Sequence, residues 1–161
     1  MDQNTLENIL QKYHRDAYLW ARQCCSFDDD LAKDTLQNVY LKILEGKAKF
    51  KEKSTVKTWL FAVIRYTAID QKNDNKNTHP LELIPEIQDL PFSREEEVNY
   101  EQLIQLLSPM QQEVILMVFY HEMTLEQSAE VLQLSIGTVR THYDRGKKRL
   151  KQLILKTQTT Y

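Results

Sequence analysis

Between Leu134 and Leu150 the chain reads LSIGTVRTHYDRGKKRL, a stretch whose side chains can do two kinds of chemistry. Thr138, Arg140, Thr141, Asp144 and Arg145 lie on outward faces near the start of a helical repeat, and Lys148, Arg149 and Lys151 follow farther along. An arginine can donate to guanine O6 and N7 together, and a threonine can bond a phosphate or touch a thymine methyl. The later cations suit phosphate oxygens, a sequence-independent and salt-sensitive contact. On the other side Ile136, Val139, Tyr143 and Leu150 recur at helical spacing as a packing face. Ser135 stands where a helix cap belongs and is a further candidate for a phosphate. The competing reading is a solvated basic face, which charge runs ordinarily are. The preceding residues weigh against it. A short helix over Leu125–Leu132, the tight turn Gln133–Ser135 and Gly137 just inside the next helix make a helix-turn-helix, whose second helix enters a major groove.

The rest of the composition narrows the choices. Net charge is −2, so affinity for nucleic acid depends on how charge is distributed rather than on the total. One basic patch is the C-terminal helix. The other is Lys47, Lys49, Lys51, Lys53 and Lys57, while acids gather in FDDD and REEE. Cys24 and Cys25 are adjacent, which disfavours a structural disulfide between them, and no CxxC pair occurs. His14, His79, His121 and His142 lack metal-ligand spacing. No phosphate loop or nucleophile–base spacing is present, so the chain reads as no enzyme, with no cofactor and no metal. Its acidic, polar N-terminus is unlike a signal peptide and no apolar run has the length of a membrane span, which points to a cytoplasmic protein without membrane insertion.

Three glycines and four prolines among 161 residues are few for a hairpin-rich sheet, and the periodicity is helical. A first helix spans roughly 4–25, with Leu6, Ile9, Leu10, Tyr13, Ala17 and Trp20 on one stripe. SFDDD supplies caps for a second, which buries Ala32, Leu36, Val39, Tyr40 and Ile43 and stops at Gly46. A third starts at Ser54 or Thr55 and turns Val56, Trp59, Leu60, Val63 and Ile64 inward. From Asn73 the period collapses and Pro80, Pro85 and Pro91 follow, so residues 73–93 read as a flexible linker, a fold-internal loop being the alternative. A second unit opens with a capping box Ser93–Glu96, continues through Pro109 behind Ser108, and repeats the box at Thr124–Gln127. The fold class is all-α: two small helical domains, 1–72 and 94–161, around that linker.

Ten residues carry a resemblance over the second unit: Leu107, Pro109, Glu113, Val114, Ala129, Gly137, Thr138, Val139, Arg140 and Thr141. In that pattern the chain resembles region 4 of extracytoplasmic-function sigma factors of bacterial RNA polymerase. Asp34, Gln37, Val39 and Tyr40, then Trp59, Leu60, Arg65, Ala68 and Asp70, resemble the two signatures of that family's region 2. The resemblance covers nearly the whole chain and implies a sigma factor: it binds core polymerase, directs it to promoters and helps open the duplex.

Residue by residue, it implies that Asp34, Gln37, Asn38 and Leu41 dock on the β′ clamp helices, with the β flap as a further contact of the polymerase. Lys49, Phe50, Lys51, Lys53, Lys57 and Arg65 would serve the −10 element, where an unpaired base is held. Ser135, Thr138, Arg140, Thr141, Asp144, Arg145, Lys148 and Arg149 would serve the −35 element. An anti-sigma factor is an expected partner, and the free chain is expected to be a monomer that needs polymerase to hold its domains apart on DNA. The sequence departs from the family at Gln71, Lys72 and Asn73, where an arginine-rich run is common, and at His142, Tyr143 and Asp144. Two other readings remain: a stand-alone helix-turn-helix regulator with an N-terminal dimerisation or sensor domain, and a helical adaptor that binds proteins alone.

Overall fold

The structure is a computed structural model and describes residues 3–78 and 100–158. Among these residues all regular structure is helical. In chain order the helices are α1 (Gln3–Cys24), α2 (Asp29–Leu44), α3 (Val56–Thr78), α4 (Tyr100–Gln105), α5 (Pro109–Ile115), a π turn (Leu116–Tyr120), α6 (Leu125–Leu132) and α7 (Ile136–Gln158). The expected box Ser93–Glu96 lies outside the described residues.

Local chemistry sets most of the boundaries. Asp28 caps α2 by accepting from the Leu31 N–H, and Gly46 follows its C-terminus at φ +76°, a left-handed turn that costs glycine little. Thr55, rather than Ser54, caps α3 by accepting from the Thr58 N–H. Pro109 opens α5 behind Ser108, although the serine hydroxyl makes no capping bond. Thr124 and Gln127 form the reciprocal capping box that starts α6.

Three features differ from the sequence reading. Helix α3 continues to Thr78, beyond the expected linker start at Asn73. Residues 73–78 lack an apolar period but also lack proline, so nothing in their chemistry forbids the helix. The inward face of α3 is also rotated: Leu60, Phe61 and Ile64 are fully buried while Trp59 and Val63 are only partly so. Six consecutive apolar residues, Trp59 to Ile64, leave the periodicity ambiguous about which of them point inward. Finally, the helix opened by Pro109 changes after Ile115 into a π turn, in which the His121 N–H reaches back to the Leu116 carbonyl.

The two units do not stand apart. Trp20, Leu36, Val39, Leu60, Phe61 and Ile64 from the first share a continuous apolar core with Val114, Leu116, Met117, Val131 and Val139 from the second. A smaller cluster joins Leu103 and Leu107 to Ile115 and Leu153, fixing α4 against α5 and α7. Between the units, Arg65 pairs with Glu113 at 3.1 Å and Arg22 with Glu101 at 2.8 Å. Burial pushes the Glu113 carboxyl above its usual range more than Arg65 pulls it down. His121 packs edge-on against both Trp20 and Phe61.

Candidate nucleic-acid interface

The helix-turn-helix is built from α6, the turn Gln133–Ser135 and α7. Gln133 ends α6 in the left-handed region at φ 54°, where its N–H bonds back to the Ala129 and Glu130 carbonyls. Sequence reading had no signal for this, because glycine or asparagine is the usual occupant. Ser135 starts α7 by accepting from the Thr138 N–H, and its hydroxyl lies 2.8 Å from that of Thr138. Val139 packs into the core with Ser128 and Val131 of α6 buried beside it. Gly146 has a packing reason as well: Ile115 of α5 fills the space where a side chain would begin.

With its inner face so fixed, α7 exposes Thr138, Arg140, Thr141, Asp144, Arg145, Lys148 and Arg149. None of its four cations in that set has an ion-pair partner among the described residues. The Thr141 hydroxyl donates to the Gly137 carbonyl, which turns it back to its own helix. Lys147 leaves the row to lie over the Tyr143 ring, 4.5 Å from its centroid. The result is an exposed, cationic helix with threonines and one acid at its leading end, able to make charge-assisted hydrogen bonds to phosphates and to base edges.

The second basic stretch is divided. Lys49 and Phe50 line a cavity of about 520 Å³ with Leu6, Ile43, Leu44 and Glu52, and the Phe50 ring packs against Trp59. The volume and the mix of an aromatic face with a cation suit a planar, polar ring. Leu6 and Glu52 were not expected there, since a contact from α1 and an acid at φ 58° carry no local signature. Lys51 and Lys53 are exposed on the same loop. Lys57 and Arg65 lie elsewhere, turned towards the second unit. The Lys57 ammonium donates to the His121 carbonyl at 2.6 Å, and Arg65 holds Glu113.

On α2, Asp34, Gln37, Asn38 and Leu41 are all exposed, the three- and four-residue steps placing them on one face. Leu41 is 49% exposed, an apolar group available to a partner. Asn38 and Leu41 border a shallow hollow with Lys42, Thr67 and Asp70. The described residues hold no His, Cys, Asp or Glu group able to bind a metal, and none of their helices is long and apolar enough to cross a membrane.

A helical bundle followed by a helix-turn-helix, with exposed basic chemistry on both, defines a transcription factor that engages DNA through two modules. Comparison with known proteins gives the family. Sigma-70 region 2 matches residues 9–78 and Sigma-70 region 4 matches residues 97–150, in that order and together across most of the sequence. The ECF RNA polymerase sigma factor SigX of Bacillus subtilis is 26% identical, the match covering 93% of this chain and 84% of SigX. The sigma factor YlaC of the same organism is 25% identical, with 96% and 95% covered. Among solved structures, the sigma factor RpoE bound to the anti-sigma factor NepR from Bartonella quintana superposes with a TM-score of 0.73 at 20% identity, covering 96% of this chain and 98% of RpoE. CnrH in complex with the cytosolic domain of CnrY gives 0.67 at 15% identity, with 95% and 89% covered. The chain belongs to the sigma-70 family, in its extracytoplasmic-function group. Its function is that of a sigma factor, directing RNA polymerase to promoters, and the stand-alone regulator is not favoured.

Proposed function

We propose that the chain divides this work among three surfaces. The α2 face of Asp34, Gln37, Asn38 and Leu41 binds the core polymerase at its β′ clamp helices, and the second domain meets the β flap. Helix α7 reads the −35 element, with Arg140 and Arg145 at base edges and Lys148 and Arg149 on phosphates. The cavity beside Phe50 receives an unpaired base of the −10 element, flanked by Lys49, Lys51 and Lys53. Domains 1–72 and 94–161, linked by residues 73–93, carry the two recognition modules. The observation that carries the reading is the exposed cationic row on α7, set at a fixed angle by the capped turn before it.

Phosphodiester chemistry then belongs to the polymerase, and this chain acts in the cytoplasm as a specificity subunit rather than an enzyme. That RpoE of Bartonella quintana was solved in complex with an anti-sigma factor supports such a partner for this protein too. Run-off transcription with bacterial core polymerase on a library of promoter fragments tests the reading. Initiation that requires this protein and selects paired −10 and −35 sequences is expected. Dimeric binding to a palindrome without polymerase, and no initiation, would refute it.

A further inference from the structure

The outer ridge of α7 carries an acid where a polyanion would be met. The buried stripe of this helix is Val139, Gly146 and Leu153. At about 100° per residue, Asp144 lies roughly 140° from Val139, 160° from Gly146 and 180° from Leu153. Arg140 and Arg145 stand only about 100–120° from Val139 and Gly146, one on each side of Asp144. All three are exposed. The acid therefore faces away from the fold more directly than either arginine, on a ridge with Gly137, Thr141 and Lys148 at steps of three and four.

That ridge is low on the N-terminal side of the acid. Gly137 has no side chain, and the Thr141 hydroxyl is folded back to donate to the Gly137 carbonyl at 3.0 Å. A helix with such an edge can approach a groove floor closely, which a carboxylate on a single methylene needs in order to reach a base. Nothing in the chain claims the group. Among the described residues Asp144 makes no ion pair, although Arg140, Lys147 and Lys148 lie one turn away. Lys147 is turned to the Tyr143 ring instead. Asp144 also borders an apolar hollow with Phe119, Leu150 and Ile154, whose side chains offer a carboxylate no hydrogen bond.

Charge then decides what the acid can meet. A carboxylate facing DNA repels phosphate and accepts hydrogen bonds without donating any. The major groove offers it two kinds of donor, the N4 amine of cytosine and the N6 amine of adenine. Beside the adenine amine stands N7, an acceptor that opposes the second carboxylate oxygen, whereas the cytosine amine has a C–H next to it. Guanine and thymine present only acceptors and a methyl group.

We propose that Asp144 is a specificity-determining residue, which accepts from N4 of a cytosine in the −35 element and excludes guanine and thymine from that position. This rests on the reading of α7 as the −35 helix and adds the base that its outermost acid demands. Selectivity comes from repulsion as much as from attraction, since each wrong base leaves the carboxylate facing another acceptor.

The test is run-off transcription with core polymerase and the full-length chain on promoters randomised across the −35 element. Wild type should favour cytosine at one position by roughly tenfold or more over guanine and thymine, the ordinary cost of a mismatched pair. Asp144→Asn should move the preference there to adenine, because an amide can accept from N6 while donating to N7. Asp144→Ala should flatten that position and raise initiation on the sequences wild type disfavours. The residue is exposed, so circular dichroism should show both variants folded as wild type. A wild type with no such cytosine position overturns the proposal, as do variants that keep the wild-type preference at every position. A uniform gain on all promoters with Asp144→Ala also overturns it, leaving the acid as a repeller of phosphate. Wild type that initiates on no promoter would count against the sigma reading instead. Selection of randomised duplexes bound by the full chain alone at low salt then decides the contact: a cytosine position that moves to adenine in Asp144→Asn sustains it, and no responding position refutes it.

Discussion

Two glycines on α7 offer a test of how the recognition helix is held, because the same substitution should have opposite signs. A Cβ on Gly146 would stand 3.0 Å from Ile115 Cγ1, 3.3 Å from Ile115 Cδ1 and 3.4 Å from Gln111 Cβ. Alanine gains roughly 1 kcal/mol over glycine in a helix interior. Against that, Ile115 is 2% exposed and β-branched within a helix, so its Cγ1 has little freedom to withdraw. Overpacking a site of this kind costs about 1–3 kcal/mol. The net for Gly146→Ala is destabilisation of roughly 0–2 kcal/mol. Gly137 has nothing within 4 Å of the same atom. Gly137→Ala should therefore stabilise by up to about 1 kcal/mol, less if the first turn realises only part of the helix preference. Thermal unfolding of the full chain separates the two, since 1 kcal/mol moves the midpoint by about 2–4 °C at this size. In an Ile115→Ala background the cost at Gly146 should vanish and the helix preference of roughly 1 kcal/mol should appear. If Gly146→Ala stabilises the native background as much as Gly137→Ala does, close packing of α5 on α7 is not what the glycine serves.

Three further measurements address other parts of the molecule. Arg140→Ala should cost about 1–3 kcal/mol and relax selectivity at one −35 position, while Lys148→Ala should weaken all promoters alike and flatten the salt dependence; open-complex formation on a promoter library distinguishes them, and an equal loss at every base would make Arg140 a phosphate contact. Thr124→Ala removes one half of the capping box and should lower stability by about 1 kcal/mol in urea unfolding, whereas Thr124→Ser should retain most of it. Burial, with the Lys57 charge adding to it, holds the His121 pKa down at about 3, so the closed fold prefers the neutral ring and the unfolded chain takes up the proton first. Its contribution is complete above pH 6.5 and should fall by about 2 kcal/mol at pH 5. Glu113, whose pKa is raised, acts in the opposite sense over the acid range, so the comparison is with His121→Gln, which should lose the His121 part of the slope.

Signals that reside within a few residues were legible in the sequence. Asp28, Gly46 and the Thr124–Gln127 box act on their own helix ends, and their chemistry can be read without knowing what lies across the fold. The exposed row on α7 was legible for the same reason, because one face of that helix is apolar and the rest follows. What could not be read depends on packing between distant residues. Phe61 rather than Trp59 is fully buried because α1 places Trp20 against it, stacked at 5.3 Å with the indole N–H donating to the Phe61 carbonyl. The division of the basic stretch has the same origin: Lys49 and Lys57 look alike in sequence, and only the arrival of the second domain distinguishes them. His121 reads as an isolated histidine until its surroundings are assembled.

The π turn after Ile115 sets a phase. With its carbonyls reaching five residues ahead instead of four, it adds one residue to the spacing between α5 and everything downstream. A regular α-helix wound from the same five residues, Leu116–Tyr120, would swing the imidazole and the start of α6 around the axis by about one residue's step, roughly 100°. Both the seat of His121 and the angle of the DNA-reading helix would then be lost together, although no residue of either had been replaced. The π winding of this turn is thus a shared setting for the contact between the two units and for the direction of the recognition helix.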